Sequence, residues 1–202
     1  IIYCIPSLWF DNLRRRYIFM KQKDNIFISS YNELRKVRTL TTCAMLISLS
    51  IILGYFTINI GGIAKVGFSS IPATLAAFLF GPVVAGTFGA IADVTKYLIK
   101  PDGAFFIGFT LNAVLTGFIR GSILYKKELN IWIVIVSELI VTILCNLLIN
   151  TYLISVLQGK AFIGMLPIRI VKNLISFPVN VAVFYVLAKA FLPLKAMIYK
   201  EA

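Results

Sequence analysis

Histidine is missing from all 202 residues, and with it go imidazole acid–base catalysis, imidazole metal ligation and haem ligation by His. Carboxylates are scarce too: eight Asp and Glu face twenty Lys and Arg, and between residues 39 and 200 only Asp93, Asp102, Glu128 and Glu138 occur. Acids so widely spaced supply neither a metal cluster nor the paired carboxylates that a lipid-modifying enzyme needs. The three cysteines, Cys4, Cys43 and Cys145, show no C-x-x-C or other ligand spacing and read as small apolar residues. No G-x-x-x-x-G-K-[ST] segment is present, so the sequence holds no phosphate loop, and energy has to come from an ion gradient or a partner.

What fills the chain is apolar: 59% of residues are hydrophobic and 14% charged. That excess is more than a soluble core of this size buries, so lipid is the main solvent. A hydrocarbon span takes roughly 20 apolar residues, and the stretch after residue 38 accommodates six segments with short joints. The pattern predicts helices over about 40–56, 70–80, 82–99, 104–125, 131–157 and 165–192. Pro72 in a first turn, the Gly81-Pro82 stop and the turn Lys100-Pro101-Asp102-Gly103 mark the boundaries, and Pro178 predicts a kink in the last helix. Residues 57–68, broken by Gly61-Gly62, read as a loop with some extended structure. Ser30-x-x-Glu33 has capping-box spacing and predicts the start of a helix that runs into the first span. The expected class is an all-α membrane protein, a compact bundle of six transmembrane helices. Residues 1–30 form an N-terminal extension, 31–195 the membrane domain and 196–202 a cytoplasmic tail. Met20 looks like a translation start, so residues 1–19 read as an upstream segment, with an interfacial anchor as the alternative.

The net charge of +12 does not point to nucleic acid, because of where it lies. Eight of the twenty cations, Arg14, Arg15, Arg16, Lys21, Lys23, Arg35, Lys36 and Arg38, precede the first span. With the N-terminus inside, fourteen cations fall on the inner side and six on the outer, which favours two cytoplasmic termini, a multi-pass position in the bacterial plasma membrane and contact with anionic lipid.

Ionisable groups within spans are costly and usually face a bundle interior. In this orientation Asp93 and Lys96, Asn112, Asn146 with Asn150, and Arg169 with Lys172 and Asn173 all fall in the outer layer, on four different helices. Phe105, Phe106 and Phe109 are interleaved with them. Flat aromatic walls, amides, a carboxylate and cations suit a planar heterocycle that carries acid groups. The bland readings remain beside it: a neutralised Asp93–Lys96 pair, cations snorkelling to the interface, phenylalanines facing core or lipid. Arg120 and Glu138, on inner halves, read as a structural pair. Ala44-x-x-x-Ser48 and the group Ala85, Gly86, Gly89 and Ala90 are small-residue patterns, open to internal packing or to docking of a second membrane subunit through Ala44, Ser48, Gly86 and Ala90.

Several motifs carry a family resemblance. Leu34-Arg-Lys-Val-Arg-Thr39, Ala44-Met-Leu-Ile-Ser48, Phe68-Ser-Ser-Ile-Pro-Ala-Thr74, Gly81-Pro-Val-Val-Ala-Gly86 and Ala92-Asp-Val94 resemble the substrate-binding S components of energy-coupling factor vitamin transporters. The segments from Lys100 through Ala113 and from Pro167 through Asn173 are similar to the folate-specific branch, and the resemblance covers about residues 31–195. It implies a non-enzymatic subunit with folate as ligand and no cofactor or metal. It also implies association with a transmembrane T component and two cytoplasmic ATPases, with Ala44 and Ser48 at the T-component contact. The ligand expectation falls on Asp93, Phe105, Phe106, Phe109, Arg169, Lys172 and Asn173. Residues 57–68 and the 100–104 turn are expected to act as lids. A carrier for riboflavin, thiamin or biotin, a membrane enzyme and a scaffold subunit are the competing readings.

Overall fold

Two signals in the sequence, Pro72 and Gly81-Pro82, bracket the helix around which the molecule is assembled. In a computed structural model that describes residues 26–55, 57–60, 64–99, 105–127, 129–159 and 162–200, helix α3 (Ser70–Phe80) has nine of its eleven residues buried. A helix apolar on every side has to be surrounded by other elements. Around it lie α1 (Ile26–Leu34), α2 (Val37–Tyr55), α4 (Pro82–Ile99), α5 (Ile107–Leu124), α6 (Ile131–Val141), a π-helical stretch (Thr142–Ile149), α7 (Asn150–Gln158) and α8 (Phe162–Lys200). The side chains of 57–66, 158, 165 and 193–200 lie outside the described set, as do the 1–25 segment, the expected 100–104 turn and the last two residues. Among the described residues four helical runs are long and apolar enough to cross a membrane: Val37–Tyr55, Ile107–Leu124, Ile131–Leu157 and Leu166–Leu192.

The expected loop at 57–68 is a short antiparallel hairpin, β1 (Thr57–Ile60) with β2 (Ala64–Gly67), in the register Thr57↔Gly67 and Ile60↔Ala64. The fold is therefore helical with one small strand pair. Strand β2 packs against α8. Helix α8 continues past 192 to Lys200 and runs through Pro178 without a break.

The capping-box reading of Ser30 is corrected. Ser30 sits inside α1, fully buried, and its hydroxyl donates to the Phe80 carbonyl (2.8 Å) and accepts from the Val83 and Val84 N–H groups (3.0 and 3.2 Å). It thus satisfies the end of α3 and the start of α4, fifty or more positions away, rather than its own helix. Gly81 makes the approach feasible: its φ is +91°, and a β-carbon there would lie 2.9 Å from the Ser30 side chain. Glu33 accepts from Lys36 Nζ (2.8 Å) and from the Thr39 hydroxyl (3.3 Å), across the break between α1 and α2.

Helices α4 and α5 pack backbone to backbone. A β-carbon at Gly89 would lie 2.6 Å from the Ala113 carbonyl oxygen, one at Gly117 2.3 Å from that of Ala85, and one at Gly121 2.4 Å from Pro82 Cα. Steps of three and four residues along α4 and of four along α5 form an antiparallel small-residue seam. Gly86, expected on a docking face, is buried beside this seam, with Val114 and Phe118 of α5 as its nearest neighbours. That expectation is corrected: its missing side chain serves an internal contact. Ala90 is half-buried, whereas Ala44 and Ser48 are exposed on α2.

Candidate functional site

The connections above give the bundle two distinct ends. At one, α1 covers Phe80, Gly81 and the end of α5. At the other, Ser50 Oγ donates to the Ser69 carbonyl (2.6 Å), and the end of α4 meets the start of α5. The residues expected to share a layer belong to the second end.

Asp93, half-buried in the last two turns of α4, accepts a hydrogen bond from the Thr110 hydroxyl of α5 at 2.8 Å. Lys96, one turn further on, is also half-buried. Asn112, half a turn beyond Thr110, donates from Nδ2 to the Cys145 carbonyl at 3.4 Å. Its Oδ1 is buried without a hydrogen-bond partner. A buried orphan acceptor costs free energy unless something donates to it, so this atom marks a place where a donor belongs.

Cys145 lies in the π-helical stretch, where residues five apart come into register. The Asn150 N–H bonds back to the Cys145 carbonyl, and Thr151 Oγ1 to that of Asn146 (3.4 Å). Asn146 and Asn150 were expected as an α-helical i,i+4 pair. Both are half-buried and remain neighbours on the helix surface, but the residue in register with Asn146 is Thr151. The Cys145 carbonyl thus accepts two bonds, from the Asn150 N–H within the π stretch and from Asn112 Nδ2 of α5.

The aromatic residues fall into two groups. Phe106 and Phe109 pack edge to face at 6.1 Å, while Phe105 is 47% exposed and leans on Tyr97, with ring centroids 5.0 Å apart. Gly108 lets the first turn of α5 close in, since a β-carbon there would lie 2.7 Å from both Leu153 and the Phe106 ring. Arg169, Lys172 and Asn173 are all half-buried on α8, the helix that packs against the π stretch and α7. Direct bonds thus join Asp93 to α5 and Asn112 to the π stretch; Arg169, Lys172 and Asn173 stand on the adjoining helix of the same end.

Sequence reasoning missed Thr110 and Tyr97. Tyr97 carried a signal, being four residues after Asp93 and so on its face. Thr110 carried none, because its pairing with Asp93 depends on how far α4 and α5 are slid against each other. The expected Arg120–Glu138 pair is present at the opposite end: Arg120 Nη2 and Glu138 Oε2 are 2.8 Å apart and both residues are buried. Asn180 Nδ2 of α8 donates to the other carboxylate oxygen at 3.4 Å. Among the described residues no His, Cys, Asp and Glu cluster could hold a metal.

Apolar spanning helices that bring polar groups to one end define a multi-pass protein of the cell membrane. Its residues 38–188 match the family model of the ECF transporter substrate-specific component, and the chain belongs to that family of transport subunits. Among curated proteins it is 36% identical to the folate transporter FolT of Clostridium novyi (strain NT) over 152 residues, 75% of this chain and 88% of that one. It is 30% identical to the folate transporter FolT of Leuconostoc mesenteroides over 183 residues, 88% of this chain and 91% of the relative. A solved structure of FolT bound with folic acid shares the fold with a TM-score of 0.69 at 33% identity, covering 77% of this chain and 95% of that one.

Proposed function

We propose that this chain is a folate-binding S component that takes its ligand at the Asp93–Asn112 end. The observation that carries the reading is that one end of α5 holds both the buried, unpartnered Asn112 Oδ1 and Thr110, which binds the Asp93 carboxylate, with Phe106 and Phe109 packed together at the same end. A pterin ring offers both the flat surface and the N–H donors that such a site lacks. Asp93 accepts from the ring's amidine edge, Asn112 takes a further ring donor, and Arg169 and Lys172 neutralise the acid tail, with Asn173, Asn146 and Asn150 as hydrogen-bonding neighbours. Lys96 balances Asp93, and Phe105 with Tyr97 forms the outer aromatic rim. The likeness to FolT over nearly the whole length of that protein supports folate over riboflavin, thiamin or biotin.

In this reading the chain crosses the membrane six times with both termini on the α1 side, and the site opens to the exterior, as the distribution of cations favours. The hairpin closes over bound ligand. Ala44 and Ser48 on the exposed face of α2 meet a transmembrane T component, and two cytoplasmic ATPases supply the energy that the chain has no phosphate loop to harvest.

Titration of detergent-purified protein with folate tests this. Saturable one-to-one binding is expected, weakened about tenfold or more by Arg169→Ala or Lys172→Ala, the usual worth of a charge-assisted contact. Preference for riboflavin, thiamin or biotin in competition would overturn the specificity, and binding indifferent to both substitutions would overturn the site.

A further inference from the structure

Helix α1 is docked by one face only. Ser29 Oγ lies 3.2 Å from the Tyr125 hydroxyl, Ser30 is buried on Phe80, and Glu33 is held by Lys36 and Thr39. The opposite face shows Phe27, Ile28 and Tyr31, each about half exposed. Phe27 stacks on Phe118 with centroids 5.4 Å apart, and Phe118 is itself an exposed ring of the membrane-crossing helix α5. The apolar face of α1 therefore continues the surface that α5 turns to lipid.

Cations border this face. The Arg35 guanidinium lies 5.4 Å over the Tyr31 ring, and Lys36 and Arg38 follow, all three exposed. With the exposed Lys127 there are four positive side chains, whereas Lys126, over the Tyr125 ring on the docked side, is buried. Against the four stand Glu33 and, by sequence, Glu128, which leaves a surplus of two.

We propose that α1 is a membrane-surface helix that binds anionic phospholipid. Phe27, Ile28 and Tyr31 enter the boundary between headgroups and acyl chains, and Arg35 with its neighbouring lysines and Arg38 takes the lipid phosphates. Rings at interfacial depth combined with a basic border are the pairing of signals that surface helices use. An acidic protein surface fits less well, because the aromatic face is continuous with lipid-facing α5.

Hydrogen exchange of the full chain in lipid nanodiscs tests the proposal, comparing phosphatidylcholine alone with discs of about one third phosphatidylglycerol. Amides of 26–34 are expected to exchange about fivefold more slowly in the anionic discs. The triple variant Arg35→Gln/Lys36→Gln/Arg38→Gln loses that difference while folate binding, read in parallel, is unchanged, which separates this test from that of the ligand site. Equal exchange in the two discs overturns the proposal. So does protection that soluble glycerol phosphate reproduces in phosphatidylcholine discs, or protection that appears only when the transporter's other subunits are added.

Discussion

Replacing Gly117 by alanine inserts one methyl group where α4 and α5 touch through their backbones. The new carbon would sit 2.3 Å from the Ala85 oxygen and 2.6 Å from its carbonyl carbon. Both atoms belong to a helix backbone, which cannot swing aside as a side chain can, so the helices must part by about 1 Å to restore ordinary contact. Overpacking of this kind costs about 1–3 kcal/mol. Two turns along α5, about 10 Å away, the Thr110–Asp93 hydrogen bond spans the same pair of helices at 2.8 Å. A displacement carried that far stretches it beyond bonding distance. Gly86→Ala is the internal control, since its nearest neighbours, Phe118 and Val114, would lie 3.6 Å away. Alanine there relieves the helix-interior penalty of glycine, worth up to about 1 kcal/mol. Thermal unfolding in one detergent, followed by folate titration, reads both effects. Gly117→Ala is expected to melt several degrees lower and bind more weakly, with Gly86→Ala unchanged or slightly more stable. If the two variants melt alike, the backbone seam does not set the α4–α5 distance and the reasoning fails.

Two further substitutions probe the two ends separately. Arg120→Met leaves Glu138 buried without its ion-pair partner and is expected to cost about 3–5 kcal/mol, whereas the double change Arg120→Met/Glu138→Leu recovers most of the loss; thermal midpoints of the two proteins check this. Thr110→Val removes the hydroxyl that orients Asp93 while keeping the shape of the side chain, so folate affinity should fall about tenfold at unchanged melting temperature. Thr110→Ser should restore it, and a Val variant with full affinity would show that Asp93 needs no such support.

The helix limits at 70–80 and 82–99 were legible because proline and glycine punctuate there, and backbone constraints of that kind act locally. The Arg120–Glu138 pair was legible for a different reason: two opposite charges at matching depth on consecutive spans have few other ways to be neutralised in lipid. Ser30 defeated the same style of reading. Its spacing to Glu33 fits a capping box, but burial beside Gly81 gives its hydroxyl three better partners on α3 and α4. The stripe Ala113, Gly117 and Gly121 has the four-residue spacing that was recognised on α4, and it is the true counterpart of that pattern. Gly86 therefore looked like part of a docking face only while its partner helix was unread. The π-helical stretch left no mark in composition, and the Asn146–Thr151 contact depends on its five-residue register.

The two ends of the bundle are held by different kinds of interaction, and this bears on how a binding subunit can work. At the α1 end, buried polar groups join elements far apart in sequence: Ser30 bridges α1, α3 and α4, and Arg120, Glu138 and Asn180 join α5, α6 and α8. The glycine seam then carries that rigidity along α4 and α5. At the other end Ser50 bonds the Ser69 carbonyl, Thr110 holds Asp93 at 2.8 Å and Asn112 reaches Cys145 at 3.4 Å. Unpartnered buried atoms occur at both ends: Asn112 Oδ1 here, and Arg120 Nε, Ser137 Oγ and Asn180 Oδ1 around the ion pair. Under the proposed function a ligand that donates to Asn112 Oδ1 acts at its own end without disturbing the other, because the seam between them resists compression. A flat molecule without that donor would leave the oxygen buried and unpaired, and would bind poorly.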